Sequence, residues 1–299
     1  MTSVSDVESP PRPGPGRRLS TFFFRHPRLR LGALLAVPLG WLLVVYLGSL
    51  FLLLLASFWD VGGILGTEIV RTWNLDNYRR LVDVPVYRTV AFRTISMAAL
   101  VTVADAILAF PIAYYMARVA SRRSRNLLVV AVLTPLWASY LVKAYSWRTI
   151  LGEEGVLNWL LGPFGLSSPG YSTTGLWLAF TYLWLPFMIL PIYAGLERIP
   201  SSLLEASADL GGRSLRTFWK VTLPLAFPAV VAGSIFTFSL TLGDYILPSL
   251  IADQQFIGTV IYSDRGSQLP LAAAFAMVPV AVMTVYLWGA KRLGAFENL

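Results

Sequence analysis

Long apolar runs separated by short polar segments dominate the chain. Six of them span residues 31–59, 94–116, 127–147, 175–196, 228–251 and 269–290. Each is long enough to cross ~30 Å of hydrocarbon as a helix, in which every backbone N–H and C=O finds its partner within the segment. The first, fourth and sixth carry no charge. The second holds Asp105, the third Lys143 near its end, and the fifth Asp244. This pattern predicts an all-α, polytopic membrane protein with six transmembrane helices. The first run exceeds the apolar core of a signal peptide and no small-residue cleavage site follows it, so it reads as an uncleaved anchor. Residues 1–20, rich in Pro, Ser, Arg and Gly, cannot build a core and read as a disordered basic cytoplasmic tail. Residues 21–299 read as one transmembrane domain.

Composition agrees with this reading and narrows the chemistry. Of 299 residues, 56% are hydrophobic and 13% charged, with a mean hydropathy of +0.63; a soluble domain carries about a quarter charged residues. Cysteine is absent and the single histidine, His26, lies in the basic tail. Disulfides, thiolate metal sites and a Ser/His/Asp catalytic set are thereby excluded or unsupported, and no metal site or catalytic centre is expected. The net charge of +8 need not imply nucleic acid, because Lys and Arg also set membrane topology. With the N-terminus inside, sixteen of the 24 Lys and Arg fall on the inner side. Both termini are therefore expected in the cytoplasm, against five arginines (Arg71, Arg79, Arg80, Arg88 and Arg93) in or beside the first outer loop. That loop, at residues 60–88, carries Trp73 to Arg80, which reads as an interfacial helix.

One inner segment, residues 197–224, is more than a linker. Ser202 and Glu205 have capping-box spacing, and Leu203, Leu204 and Ala208 give a short helix an apolar side. Gly211-Gly212 supplies a left-handed turn. A second short helix is expected next, with Leu215, Phe218 and Trp219 on one face and Arg213, Arg216 and Lys220 on the other. Pro224 and Pro228 mark the entry to the fifth span.

Glu205-Ala206-Ser207, three residues, Gly211, nine residues and Val221-x-Leu223-Pro224 together resemble the EAA loop of bacterial ABC-importer permeases. Ser207 and Val221 replace the Ala and Ile of that pattern, with the spacing intact. The resemblance implies a MetI-like permease fold and a coupling helix that sits in a groove of a cytoplasmic ATPase. Glu205, Ala206, Ser207, Asp209, Gly211, Leu223 and Pro224 are the expected coupling residues. Glu205 either bonds within its own cap or reaches the ATPase. The small side chains 206–208 keep the helix slim, and Gly211 permits the bend. The implied partners are a second permease chain, an ATPase homodimer and an extracytoplasmic solute-binding protein, in the bacterial inner membrane. No Gly-x4-Gly-Lys-Ser/Thr loop occurs in this sequence, so ATP and Mg are expected on the partner ATPase, with no cofactor on this chain.

The candidate solute pathway rests on Asp105 and Asp244. Ionisable groups within a span are costly and usually face a cavity or a partner. Each of these either lines a pathway, where it favours a cation, or pairs with Lys143 or Arg93, or lies near the interface. Asp244 falls in Leu242-Gly243-Asp244-Tyr245-Ile246-Leu247-Pro248, whose Gly and Pro suggest an interrupted helix of the kind transporters use at substrate sites. Among the aromatics, Tyr182, Trp184 and Tyr245 are the candidates for cation–π contact with an ammonium group; most others read as membrane-belt anchors or packing. Pro111, Pro135, Pro186 and Pro191 read as hinges or as fixed kinks. The stretch around Asp244 resembles the Gly-Asp-Tyr-x-x-Pro segment of spermidine/putrescine permeases, as do residues 146–155 and 185–191. The resemblance implies ATP-driven import of a small cationic solute, spermidine or putrescine first. The alternatives are an ABC permease for another small solute and a proton-coupled secondary transporter.

Overall fold

A computed structural model of the chain describes residues 27–62 and 68–292; the basic tail anticipated at residues 1–20 lies outside them. The chain divides into two compact units between Leu55 and Ala56. In the first unit, α1 (Pro27–Trp41) runs through a π-helical turn at Leu42–Leu47 into α2 (Gly48–Ala56). Its apolar stretch is long enough to cross a membrane.

The second unit starts with a short antiparallel ribbon, β1 (Asp60–Gly62) paired with β2 (Glu68–Val70), which the hydropathy pattern does not predict. The ribbon is followed by α3 (Asp76–Asp83), amphipathic with Asn77 and Leu81 buried. The Asn77 amide donates to the carbonyls of Ser57 and Trp59, at 3.1 and 2.7 Å, tying α3 to the chain leaving α2.

Next come α4 (Pro85–Tyr114, prolonged by a π turn at Tyr115–Val119), α5 (Arg122–Trp137) and α6 (Tyr140–Leu151). After these lie the short α7 (Val156–Leu161) and the long α8 (Thr173–Arg198), then α9 (Ser201–Asp209). α10 (Ser214–Thr217) leads through a π turn, Phe218–Thr222, into α11 (Leu223–Gly243). The chain ends with α12 (Ile246–Ile251), α13 (Ile257–Asp264) and α14 (Leu269–Arg292).

Packing centres on α4, α8 and α11. Along α4 one row repeats every four residues, Met97, Val101, Asp105, Ala109 and Ala113, as one face of a helix must; all five are buried. Its upper members pack with Phe180, Leu183 and Trp184 of α8, and its lower members with Met188, Ile189 and Ile192. α8 and α11 approach so closely that a Cβ on Gly195 would lie 2.3 Å from that of Ala229, and one on Gly233 would lie 2.8 Å from Met188 Sδ. Small residues at such crossings allow the backbone contact that holds helices together where no hydrophobic effect can.

Two expectations need correction. The third span is not one straight helix: α5 and α6 meet at a 94° bend across Ala138–Ser139. Five helices pass as spans singly, and a sixth only if this bent pair counts as one. The bend has a packing cause. α5 places Leu128, Val129 and Val132 on the lower α8 cluster, whereas α6 buries Ala144 and Leu151 in the upper one. A straight helix could not reach both. The second correction concerns α10, which is not a separate helix. Ser214–Gly243 is continuous. Pro224 lacks an N–H and crowds the carbonyl four residues back, and the wider π turn just ahead of it absorbs that defect without a break.

Candidate translocation site and coupling elbow

α11 ends at Gly243, and Asp244 and Tyr245 separate it from α12. The Asp244 side chain fills the gap this break leaves. Its Oδ1 accepts from the backbone N–H of Ile246 at 2.8 Å and of Leu247 at 3.2 Å, satisfying the free first-turn donors of α12. Its Oδ2 accepts the phenolic O–H of Tyr140. Tyr140 is the first residue of α6, just past the 94° bend. The two interrupted helices therefore touch break to break. α13 seats on the same point, since a Cβ on Gly258 would lie 2.5 Å from the Asp244 carbonyl oxygen. Asp244 itself is half-buried, between the exposed Gly243 and Tyr245.

An aromatic column extends inward from this junction. Tyr140 stacks nearly parallel on Trp184, with centroids 5.9 Å apart, and Trp184 also meets Phe180 and, edge-on, Phe187. Trp184 is 7% exposed, so aromatic neighbours cover it in this conformation. Tyr182 is 45% exposed and tilts against Trp147. Tyr245, 39% exposed, stacks on Tyr262, over whose ring the guanidinium of Arg265 lies at 3.5 Å. Asp244, Tyr245 and Trp184 thus gather around one junction, with Tyr140 the member that sequence reasoning left among the general aromatics. No local signal marks it, since its partner lies 104 residues away.

Asp105 is separate from this cluster. It sits in the α4 row facing α8, is fully buried, and neither carboxylate oxygen has a hydrogen-bond partner among the described residues. Pairing with Arg93 or Lys143 is not found; Arg93 instead donates to the Gln255 carbonyl at 2.9 Å.

The elbow occupies the other end of α11. α8 ends at Arg198 and α9 starts at Ser201 after Pro200, with no side-chain cap. The Ser202–Glu205 capping box therefore does not form. Pro200 already takes the N-cap position, which places Ser202 inside the first turn and not at the cap, the only place from which its hydroxyl could accept the N–H three residues on. Glu205 is exposed and has no hydrogen bond or ion pair among the described residues. Gly211 closes the elbow at φ +75°, the left-handed region glycine enters freely. The two arms are clamped: Ser207 Oγ and Thr217 Oγ1 are 2.8 Å apart, and the Gly212 N–H donates to the Ser207 carbonyl at 2.8 Å. The Ala of the usual pattern at position 207 could not make the side-chain bond.

Arg118, at the end of α4, donates to the carbonyls of Leu196 and Ile199, finishing α8 just ahead of the elbow. Phe218, in the π turn, packs edge-on against Phe110 of α4. The elbow is thus fastened to the bundle at both ends. Four of its large apolar side chains, Leu203, Leu210, Leu215 and Trp219, are exposed, Leu210 by 90%. Ala206, Ala208 and Asp209 are exposed as well, while Leu223 and Pro224 start the α11 segment.

A bundle of membrane-length helices, broken twice at one junction and carrying a clamped elbow, has the build of a transport permease. The chain belongs to the family of binding-protein-dependent transport system inner membrane components, whose model matches residues 109–293. It is 46% identical to the inner membrane ABC transporter permease protein YdcU of Escherichia coli K12, over 99% of this chain and all of that protein. It is 31% identical to the spermidine/putrescine transport system permease protein PotB of the same organism, over 74% of this chain and 84% of PotB. Its fold matches a chain of a bacterial alginate ABC transporter, solved with an alginate pentasaccharide-bound periplasmic protein, at a TM-score of 0.70 and 18% identity, covering 93% and 97% of the two chains. The inward-facing MetNI methionine ABC transporter matches at a TM-score of 0.55 and 15% identity, over 70% of this chain and 94% of that one. The chain is a multi-pass inner-membrane permease subunit of the ABC importer class, and the alternative of a proton-coupled secondary carrier gives way to that assignment.

Proposed function

We propose that this chain is one of two permease subunits of an ATP-driven importer for a small cationic solute, with spermidine or putrescine the first choice. The observation that carries the reading is a half-buried carboxylate, Asp244, set in a helix break beside the exposed ring of Tyr245. Transporters expose polar groups to substrate at such breaks, and a carboxylate beside an aromatic face suits an ammonium group. The 31% identity to a spermidine/putrescine permease supports the same choice. Tyr182 and Trp184 line the pathway further in, and Asp105 enters it when α4 and α8 shift in the other access state. A permease for a different small solute is the competing reading, favoured by the higher identity to YdcU, whose name carries no solute.

In this reading the partners are a second permease, an ATPase homodimer holding ATP and Mg, and an extracytoplasmic solute-binding protein, with both termini of this chain in the cytoplasm. The ATPase meets the elbow at Glu205 and the exposed apolar side chains. ATP-driven closure moves α9, and the Ser207–Thr217 clamp, the Phe218 contact and α11 carry that motion about 30 Å to the Asp244 break.

The test is ATP-dependent uptake of radiolabelled spermidine by proteoliposomes holding the complete transporter and its binding protein. Uptake that unlabelled putrescine suppresses, and glutamate does not, is the expected result. Uptake of an anion in preference to either polyamine would sink the proposal.

A further inference from the structure

The geometry points to a latch: the Tyr140–Asp244 hydrogen bond holds the two broken helices together, and a cationic group of the solute opens it by taking the place of the Tyr140 hydroxyl on Oδ2. Tyr140 is then a specificity-determining residue. The inference rests on the proposed cationic solute and goes beyond it, because it assigns the discriminating step to one oxygen and one competitor.

The two oxygens of Asp244 are not equivalent. Oδ1 is committed to the N–H groups of Ile246 and Leu247, and its loss would unravel the start of α12. Oδ2 has one partner among the described residues, the Tyr140 O–H. A visiting group can therefore compete only at Oδ2. A neutral phenol donates one hydrogen bond there. On a carboxylate both bonds are charge-assisted, but the ammonium also brings a positive charge that the phenol lacks and so adds ion-pair attraction. A cation displaces the phenol, a neutral alcohol competes only on equal terms, and an anion is repelled.

The displaced ring matters because of what stands behind it. Tyr140 lies flat on Trp184 of α8 and belongs to the same cluster as Ala144 and Leu151 of α6 and Leu247 and Ile251 of α12. α6, α8 and α12 converge on this one contact. Breaking it removes the polar tie between α6 and α12 and leaves an apolar contact that can slide. Solute arrival is thereby linked to helix movement through differential contacts in two states, which any ligand-driven change requires.

The experiment uses the complete transporter in proteoliposomes and reads two quantities: solute-independent ATP hydrolysis, and KM and kcat for spermidine uptake. Tyr140→Phe keeps the ring on Trp184 and deletes only the donor. Solute-independent hydrolysis should rise about fivefold and KM should fall about threefold, on the scale of one lost hydrogen bond. Asp244→Asn keeps an oxygen for the α12 cap and removes the charge, and uptake should fall at least about tenfold. Tyr140→Leu removes ring and donor together. If Tyr140→Phe matches wild type on both readouts while Asp244→Asn loses uptake, the latch is overturned and the cationic site stands. If only Tyr140→Leu changes hydrolysis, ring packing is responsible and the latch is again overturned. If Asp244→Asn transports normally, the cationic reading itself fails.

Discussion

The elbow and the Asp244 break sit at opposite ends of α11, and they treat their polar groups in opposite ways. At the break, both oxygens of Asp244 are engaged within the chain, three donors in all. At the elbow, Glu205 has no partner among the described residues and four large apolar side chains are exposed. The break is complete in itself and can change state only by exchanging one partner for another. The elbow is folded, and in the proposed reading its exposed face is one half of an interface with the ATPase. Internal order is not what separates them, since the Ser207–Thr217 clamp and the Gly211 turn shape the elbow as firmly as Asp244 shapes the break. The difference lies in where the unsatisfied surface has been left.

Four substitutions probe this contrast, ranked by their cost to the permease's own stability. Asp244→Ala should cost most, about 3 kcal/mol, since it strips the α12 cap and the Tyr140 acceptor together. The thermal midpoint of the purified transporter should fall well below that of Asp244→Asn; equal midpoints would mean the cap contributes nothing. Gly211→Ala and Ser207→Ala should each cost about 1 kcal/mol, one by strain at positive φ and the other by a lost hydrogen bond. Spin labels at residues 203 and 215 should report a broader distance distribution across the elbow in both, and an unchanged width would show that the clamp does not order it. Glu205→Ala should leave the midpoint where it is, because the side chain has no partner to lose among the described residues. Affinity for the ATPase should nevertheless drop about tenfold, on the scale of one interfacial charged contact. A lowered midpoint with unaltered affinity would reverse the comparison.

Asp105 shows how differently two carboxylates can fare in one bundle. Both occur singly in apolar runs, and only the Gly and Pro flanking Asp244 set them apart in the sequence. Asp105 falls on the α4 row that faces α8, between two apolar clusters, and ends with no donor in reach among the described residues. Asp244 falls where the helix stops, so freed backbone N–H groups come to it. A helix interior offers no donors to its own side chains, whereas a helix start offers several.

Much of what depends on neighbours along the chain was legible in the amino acids alone, although the Ser202–Glu205 capping box does not form and the β1–β2 ribbon was not anticipated. Six apolar runs mark the spans because the bilayer demands internally bonded segments of fixed length. Gly211 closes the elbow because a left-handed residue there is a local need. Gly243-Asp244 interrupts the fifth span because the carboxylate can cap the next helix within three residues. Packing decided the rest. Pro135 looks no different from Pro186 and Pro191, yet α8 runs unbroken through its two prolines while the chain turns by 94° after α5. That choice was made by two separate clusters on α8, each claiming one half of the third span. Tyr140 meets Asp244 and Arg118 finishes α8 only once distant segments pack. Each of these is a bond between groups whose separation along the chain says nothing of their distance in space.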